Sequence, residues 1–279
     1  MPAAEAPFEP RFVTHDGLTI RYVSSPKPSA EAVILLSPWP ESIYAYVPIW
    51  PALANEFSLV AVDLPGFGQS QGRPDLMGPR AMAEFVVGIS EELGLRQPHA
   101  VGPDIGTGAL LFAAAKHPGV FRSLIVGAGA ATYPLHVEGA LKGFIDAESI
   151  DDFREADPAA VIRGAVDAIR NYDVPDAVRD DYLQSYSGRR FLDSIAYVRS
   201  YPADLAELRS LLPGISTPVQ IIVGRDDPYG LAVDGQRLSE QLPHSKLDVF
   251  QTGHNAWEED AAHYGSVVAD WIKGGFHAA

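Results

Sequence analysis

Apolar and polar positions alternate from Arg11 to Ser25 (RFVTHDGLTIRYVSS) about Asp16-Gly17, the signature of a two-stranded hairpin. Two short β-branched runs follow, Glu31 to Leu36 (EAVILL) and Ser58 to Asp63 (SLVAVD), separated by a helix-length segment. Their unbroken apolar character marks strands covered on both faces, as in a parallel sheet. Strand-like and helix-like stretches then take turns: a helix over Ala81 to Leu93, a strand from His99 to Gly102, an alanine-rich helix over Gly108 to Ala115 and a strand at Ser123 to Val126. Between Ala131 and Leu212 the alternation stops. That stretch is mainly helical, with acidic caps and aromatics such as Phe144, Phe153, Tyr172, Tyr182, Tyr186 and Tyr197. The alternation resumes with Val219 to Val223, a helix near Leu231 to Leu242, a strand at Lys246 to Phe250 and a closing helix from about Ala256 to Ile272. Such an order predicts one mostly parallel sheet with helices on both faces. The interruption reads as a helical lid inserted across the top of the sheet. The expected organisation is a core over residues 1–130, a cap over 131–212 and the rest of the core over 213–279. Pro26 to Pro28 reads as an ordinary turn, and the chain shows no internal repeat.

Composition narrows the partners. At 279 residues and 47% hydrophobic, the chain can bury a full core. A net charge of −15, with no dense cluster among its 21 Lys and Arg, excludes nucleic acid as the expected ligand. The absence of cysteine removes disulfides, thiolate metal sites and thiol nucleophiles, and fits a cytoplasmic location. Met1 to Pro10 has neither a basic start nor an apolar run, so no signal peptide is expected there. No stretch approaches the ~18 uninterrupted apolar residues of a membrane span. His15, His99, His117, His136, His244, His263 and His277 show no metal-ligand spacing, so neither a metal nor a cofactor is expected. Oligomeric state stays open, a homodimer included.

The chemistry gathers where strands end, because ligands of open α/β sheets bind beyond the carboxyl ends of the strands. The strand before Asp104 breaks into a helix, with Gly102 and Gly106 two residues to either side, and a sharp turn of this kind favours small residues. A side chain at its tip is aimed above the sheet. The other strands deliver SPWPES (Ser37 to Ser42), DLPGFGQS (Asp63 to Ser70), GRDDP (Gly224 to Pro228) and TGHNAWEE, with His254 at the tip of the last. The chain order is therefore nucleophile, acid, base. An aspartate ionises near ~3.9, so Asp104 needs no base to become a nucleophile, and its attack on carbon leaves a covalent ester. His254, with an ordinary pKa near ~6.5, is suited to take a proton from water in breaking that ester. Asp227 is chosen to hold the far imidazole nitrogen, with Asp226 separated from it only weakly by spacing. Oxyanion donors are expected from the N–H of Ile105, at the helix start, and of Trp39, the donor left between Pro38 and Pro40. Simpler roles compete: Asp104 as a helix cap, Asp226-Asp227-Pro228 as turn chemistry, the lid tyrosines as packing. A dinucleotide loop at Gly106-x-Gly108 fits poorly, since Leu111 occupies its third glycine position.

SPWPES, DLPGFGQS, GPDIG, GRDDP and GHNAWEE, in that order around a helical insertion, resemble the α/β-hydrolase superfamily over essentially the whole chain. The resemblance implies an eight-stranded, mostly parallel sheet with an inserted helical cap. An Asp at the elbow is similar to the branch of epoxide hydrolases and haloalkane or haloacetate dehalogenases, which open a C–O or C–halogen bond through an alkyl-enzyme ester. The usual His-Gly-x-Pro oxyanion segment is Ser37-Pro38-Trp39-Pro40 here, and Trp39 inherits the donor role by position. Ile105 stands where haloalkane dehalogenases carry a halide-binding Trp and haloacetate enzymes tend to carry an Arg. Epoxide hydrolases use two lid tyrosines on the ring oxygen. Tyr197, in SIAYVRSYP, lies about where the second is expected, with Val198 as the alternative register, and no position stands out for the first. The expectation is hydrolysis of an epoxide to a vicinal diol, the substrate being a small, moderately hydrophobic organic molecule together with water. Dehalogenation of a haloalkane or haloacid, or ester or lactone hydrolysis, is the alternative on the same machinery. A non-catalytic ligand-binding protein of this fold is the alternative of another class.

Overall fold

The computed structural model describes residues 9–25 and 31–278. The turn expected at Pro26 to Pro28, and most of the amino-terminal segment read above, lie outside them. Alternation produces the hairpin β1 (Arg11–His15) and β2 (Leu18–Ser24), in which His15 faces Leu18. Asp16 and Gly17 both take left-handed backbone angles, φ 49° and 75°, as a two-residue hairpin turn requires. The remaining strands are β3 (Ala32–Leu36), β4 (Ser58–Val62), β5 (His99–Pro103), β6 (Ser123–Gly127), β7 (Val219–Gly224) and β8 (Ser245–Phe250). The sheet order is β1-β2-β4-β3-β5-β6-β7-β8, with β3 to β8 parallel and β2 antiparallel to β4. Strands β5, β6 and β7 are buried along their whole length, which is why they read as continuous apolar runs.

Helices flank this sheet. They are α1 (Trp50–Ala54), α2 (Pro79–Glu92), α3 (Ile105–Lys116), α9 (Leu231–Gln241), α10 (Ala256–Glu259) and α11 (Ala261–Ile272), while α4 (Gly139–Asp146), α5 (Pro158–Asp167), α6 (Asp176–Ser185), α7 (Arg190–Arg199) and α8 (Tyr201–Leu211) fall between β6 and β7. Pro79 opens α2 at a position where a missing N–H costs nothing. Helix α3 is apolar on every face and buried from Ile105 to Ala114, the behaviour of a helix enclosed on all sides. The closing segment departs from the single helix expected over Ala256 to Ile272: it breaks at Asp260 (φ −137°, ψ 55°). Glu258 and Glu259 turn inward just before the break, and α11 then starts afresh with Tyr264, Val268 and Trp271 on its buried face. Among the described residues no helix is long and apolar enough to cross a membrane.

The inserted helices are fastened to the sheet by polar contacts. Arg21 on β2 is 2% exposed and bonds the buried Asp63 after β4 through Nε, and Asp181 on α6 through Nη1 at 2.6 Å and Nη2 at 3.0 Å. Asp63 also accepts the N–H groups of Ile43 and Gln69, so its charge is satisfied from three directions. Arg190 on α7 donates to the carbonyls of Gly68 and Ser70 at 2.7 and 2.9 Å. Removing one member of such a buried cluster strands the opposite charge, at a cost of about 3–5 kcal/mol. Arg21→Met is therefore expected to lower unfolding free energy by about that amount in urea titration. A loss under ~1 kcal/mol would show that the cluster is water-screened.

Candidate active site

Asp104 follows β5 with φ 53° and ψ −123°, a left-handed conformation that a non-glycine residue holds only when its surroundings force it. Three contacts do so. Its N–H donates to the carbonyl of Gly127 (2.9 Å), its carbonyl accepts from Thr107 N–H (3.0 Å), and the Thr107 hydroxyl bridges back to the carbonyls of Gly102 and Gly127. The close approach expected at Gly102 is present, since a Cβ there would lie 2.6 Å from the Leu110 side chain. Gly106 is different: a Cβ there would meet Leu36 at an ordinary 3.4 Å. The glycine that the elbow needs is Gly129, whose Cβ would lie 2.0 Å from the Asp104 carbonyl oxygen. It sits far along the chain from the motif, and the local spacing gives no sign of it.

The Asp104 carboxylate has two distinct oxygens. Oδ2 accepts the Trp39 N–H at 2.6 Å, and the nearby Ile105 N–H favours the charged carboxylate. Oδ1 faces His254 Nε2 at 3.9 Å. His254 Nδ1 meets Asp227 Oδ2 at 2.8 Å, while Asp227 Oδ1 accepts the N–H of Tyr229. Asp226 points outward to Arg170 at 3.3 Å, so the acid on His254 is Asp227, the one chosen on a weak difference in spacing. Ser37, in place of the usual His, takes the N–H of Leu64 on its hydroxyl and so ties the Trp39 loop to the end of β4. Burial pushes the Asp104 carboxyl up to about 6, against the opposing pull of the His254 charge and the two N–H donors. For His254, burial works toward a lower pKa. The adjacent Asp227, then Asp104 and Glu41, overcome it and raise the imidazole to about 9.

Tyr197 is not aimed at this site. Its hydroxyl donates to the Ile105 carbonyl at 2.8 Å, its ring packs edge-on against Phe67 and Tyr201, and it is wholly buried. The expected lid acid is thus a strut on the first turn of α3, because Phe67 and Tyr201 pack around its ring and the Ile105 carbonyl accepts the hydrogen bond its hydroxyl donates. Val198, the alternative register, is buried as well. A cavity of about 320 Å³ lies above Asp104, between the sheet and the inserted helices. Trp39, Phe144, Phe191 and Tyr229 give it aromatic walls, with the Trp39 ring stacked on Phe191 at 5.9 Å. Its polar lining includes Glu41, Asn255 and Arg170, none of which the motif reading had singled out, although Glu41 and Asn255 lie inside SPWPES and GHNAWEE. Among the described residues no group of three or more His, Cys, Asp or Glu is placed to hold a metal ion.

Residues 31–261 match the alpha/beta hydrolase fold family. The chain belongs to this family. An uncharacterized hydrolase of Bacillus subtilis, YugF, is 26% identical over 275 residues, covering 94% of this chain and 97% of that protein. A fluoroacetate dehalogenase from a Burkholderia species is 35% identical over 124 residues, 43% of this chain and 40% of its own. Epoxide Hydrolase A from Mycobacterium thermoresistibile superposes with a TM-score of 0.78 at 18% identity, over 96% of this chain and 98% of that one, a likeness of fold alone. The protein is a hydrolase of the α/β fold with an eight-stranded, mostly parallel sheet.

The elbow's dependence on Gly129 is open to measurement. Gly129→Ala is expected to cost about 1–3 kcal/mol or more, because the new methyl overlaps backbone that cannot swing away. Gly106→Ala, inside a helix with room for a methyl, is expected to be neutral or stabilising by about 0.4–1 kcal/mol. Chemical denaturation of both variants compares them, and equal losses would contradict the assignment.

Proposed function

We propose that this hydrolase opens small apolar epoxides through a covalent ester on Asp104. The observation that carries the reading is the unequal treatment of the Asp104 oxygens: Oδ2 is held by the Trp39 N–H, while Oδ1 is left facing the cavity beside His254. In the first step Oδ1 attacks a ring carbon, the C–O bond breaks, and its electron pair goes to the ring oxygen. Tyr229 takes the donor role first expected of Tyr197. It lines the cavity, its ring stands edge-on to His254 at 4.9 Å, and burial raises its pKa so that it keeps its proton. In the second step water adds to the ester carbon, His254 takes the water's proton, and the carbonyl electron pair moves to Oδ2 beside the Trp39 N–H; the pair then returns, the bond from the ester carbon to Oδ1 breaks, and Oδ1 leaves as the new diol oxygen with the proton from His254. Asp227 steadies the imidazolium.

The first step prepares the second. While Asp104 is ionised it helps hold His254 protonated. Once Asp104 becomes a neutral ester that contribution disappears and the imidazole pKa falls; the proton His254 held passes, through solvent, to the Tyr229 phenolate left by ring opening, and the neutral His254 becomes competent as a base. A second reading, hydrolysis of a haloacid, draws support from the similarity to the fluoroacetate dehalogenase and from the Arg170 guanidinium at the cavity wall, a partner for a substrate carboxylate.

His254→Gln is expected to accumulate the ester, seen by mass spectrometry as the Asp104 peptide plus the mass of the epoxide. An unmodified peptide across small alkyl and aryl epoxides, with halide released from haloacids, would select the second reading. Ester formation requires ionised Asp104, so its single-turnover rate is expected to be flat above about pH 6 and to fall about tenfold per pH unit below it. Tyr229→Phe is expected to slow ester formation by ~10²-fold and leave ester hydrolysis nearly unchanged, measured by rapid quench.

A further inference from the structure

Two carboxyl groups that the proposed chemistry does not use lie against each other beside His254. Glu41 comes from the loop after β3 and Glu258 from α10, and they are 3% and 2% exposed. Glu41 Oε1 accepts from Asn255 Nδ2 at 2.7 Å, and Glu258 Oε1 from the Tyr182 hydroxyl at 3.3 Å. The two side chains are within hydrogen-bonding reach of one another, yet Oε2 of each is buried with no donor aligned to it. The nearby indole N–H of Trp257 is itself without an aligned acceptor. Two ionised carboxylates touching in a dry wall would repel each other and leave both Oε2 atoms unsatisfied. One proton between them removes both costs.

We propose that Glu41 and Glu258 share a single proton and, as a pair with one negative charge, serve as a second counter-ion to His254 during ester hydrolysis. The role rests on the ester mechanism above, and it makes Glu41 a positioning residue. Burial, together with the Glu41 charge, holds Glu258 well above its usual range, so Glu258 keeps the proton. Burial raises Glu41 to about 7, partly opposed by its contact with Glu258 and the His254 charge, so it carries the charge just above neutrality. The pair faces His254 and Asp104 on the cavity side and Glu259 on α10, the last tied to the Gly253 N–H. Tyr46, Tyr172, Tyr182 and Tyr229 surround it with hydroxyls that burial keeps neutral. Arg170, on the same cavity wall, is held by Asp226.

The single proton matters to the second half-reaction. As water's oxygen bonds to the ester carbon, its proton moves to Nε2 and the carbonyl electron pair moves to Oδ2. His254 becomes a cation at the moment when Asp104 carries no carboxylate charge. A doubly ionised pair would keep His254 protonated throughout and unable to act as a base. A neutral pair would leave the new cation with only Asp227 and the short-lived oxyanion on Oδ2. One shared proton sets the charge between these extremes.

Infrared and NMR spectroscopy of the substrate-free protein test this directly, and neither readout depends on whether Asp104 forms an ester. At about pH 8, where Asp104 is ionised, the wild type is expected to show the C=O stretch of a buried neutral carboxyl, and Glu258→Gln to lose it. Glu258→Gln keeps the Glu41 charge and supplies an amide N–H in place of the shared proton, so the His254 titration midpoint is expected to stay. The double variant Glu41→Gln/Glu258→Gln removes the charge, and the midpoint is expected to fall by about one unit, a tenfold change in proton affinity. A wild type without the neutral-carboxyl band, a band that survives in Glu258→Gln, or a His254 midpoint unmoved in the double variant would each overturn the proposal. If the double variant does not fold, the infrared comparison still decides.

Discussion

Asp104 is forced into left-handed backbone at the carboxyl end of a fully buried strand, and every other feature of the site is arranged around that constraint. A non-glycine residue pays about 1–3 kcal/mol for such a conformation. Here the cost is met by the hydrogen bonds of Thr107 and Gly127 on one side and by the bare backbone of Gly129 on the other. The reward is directional. The carboxylate stands clear of its own strand, with one oxygen on the Trp39 N–H and the other toward His254. Helix α3, buried on all sides, cannot shift to relieve the turn, and Tyr197 braces it from the Ile105 carbonyl.

Burial sets the electrostatics of the site as much as charge does. It raises Asp104, Glu41 and Glu258 and works to lower His254, and the neighbouring anions reverse that last effect. In the proposed mechanism the imidazole is a cation while Asp104 is free and a base once Asp104 is esterified. A site built this way needs few moving parts, because the charge lost in one step alters proton affinity for the next. The buried Arg21, Asp63 and Asp181 cluster serves a different end, holding the inserted helices over the cavity.

The central strands were legible because they are short and covered on both faces, and the hairpin because Asp16-Gly17 suits a two-residue turn. The elbow, Trp39 and His254 were legible because strand ends in a parallel sheet converge, so chain order translates into position. Asp227 was preferred to the adjacent Asp226 only weakly, since the rotation of the chain after β7 decides which faces inward. Two things were not legible. Tyr197 occupies a helix whose orientation depends on packing against Phe67 and Tyr201, contacts that no spacing encodes. The contact of Glu41 with Glu258 joins the loop after β3 to α10, from distant parts of the chain, and the break at Asp260 that accompanies the inward turn of Glu258 is invisible in an otherwise continuous helical pattern.

The claim that unites these features is that Asp104 forms a bond to substrate carbon. A single-turnover reaction in heavy-oxygen water, with enzyme in excess over an apolar epoxide, addresses it most directly. If Asp104 attacks, the oxygen added to the first-turnover diol comes from its carboxylate. The product is then unlabelled and the Asp104 peptide gains the heavy oxygen. Heavy oxygen in the first-turnover product, with an unlabelled Asp104 peptide, would mean that water attacks the substrate directly and would contradict the account.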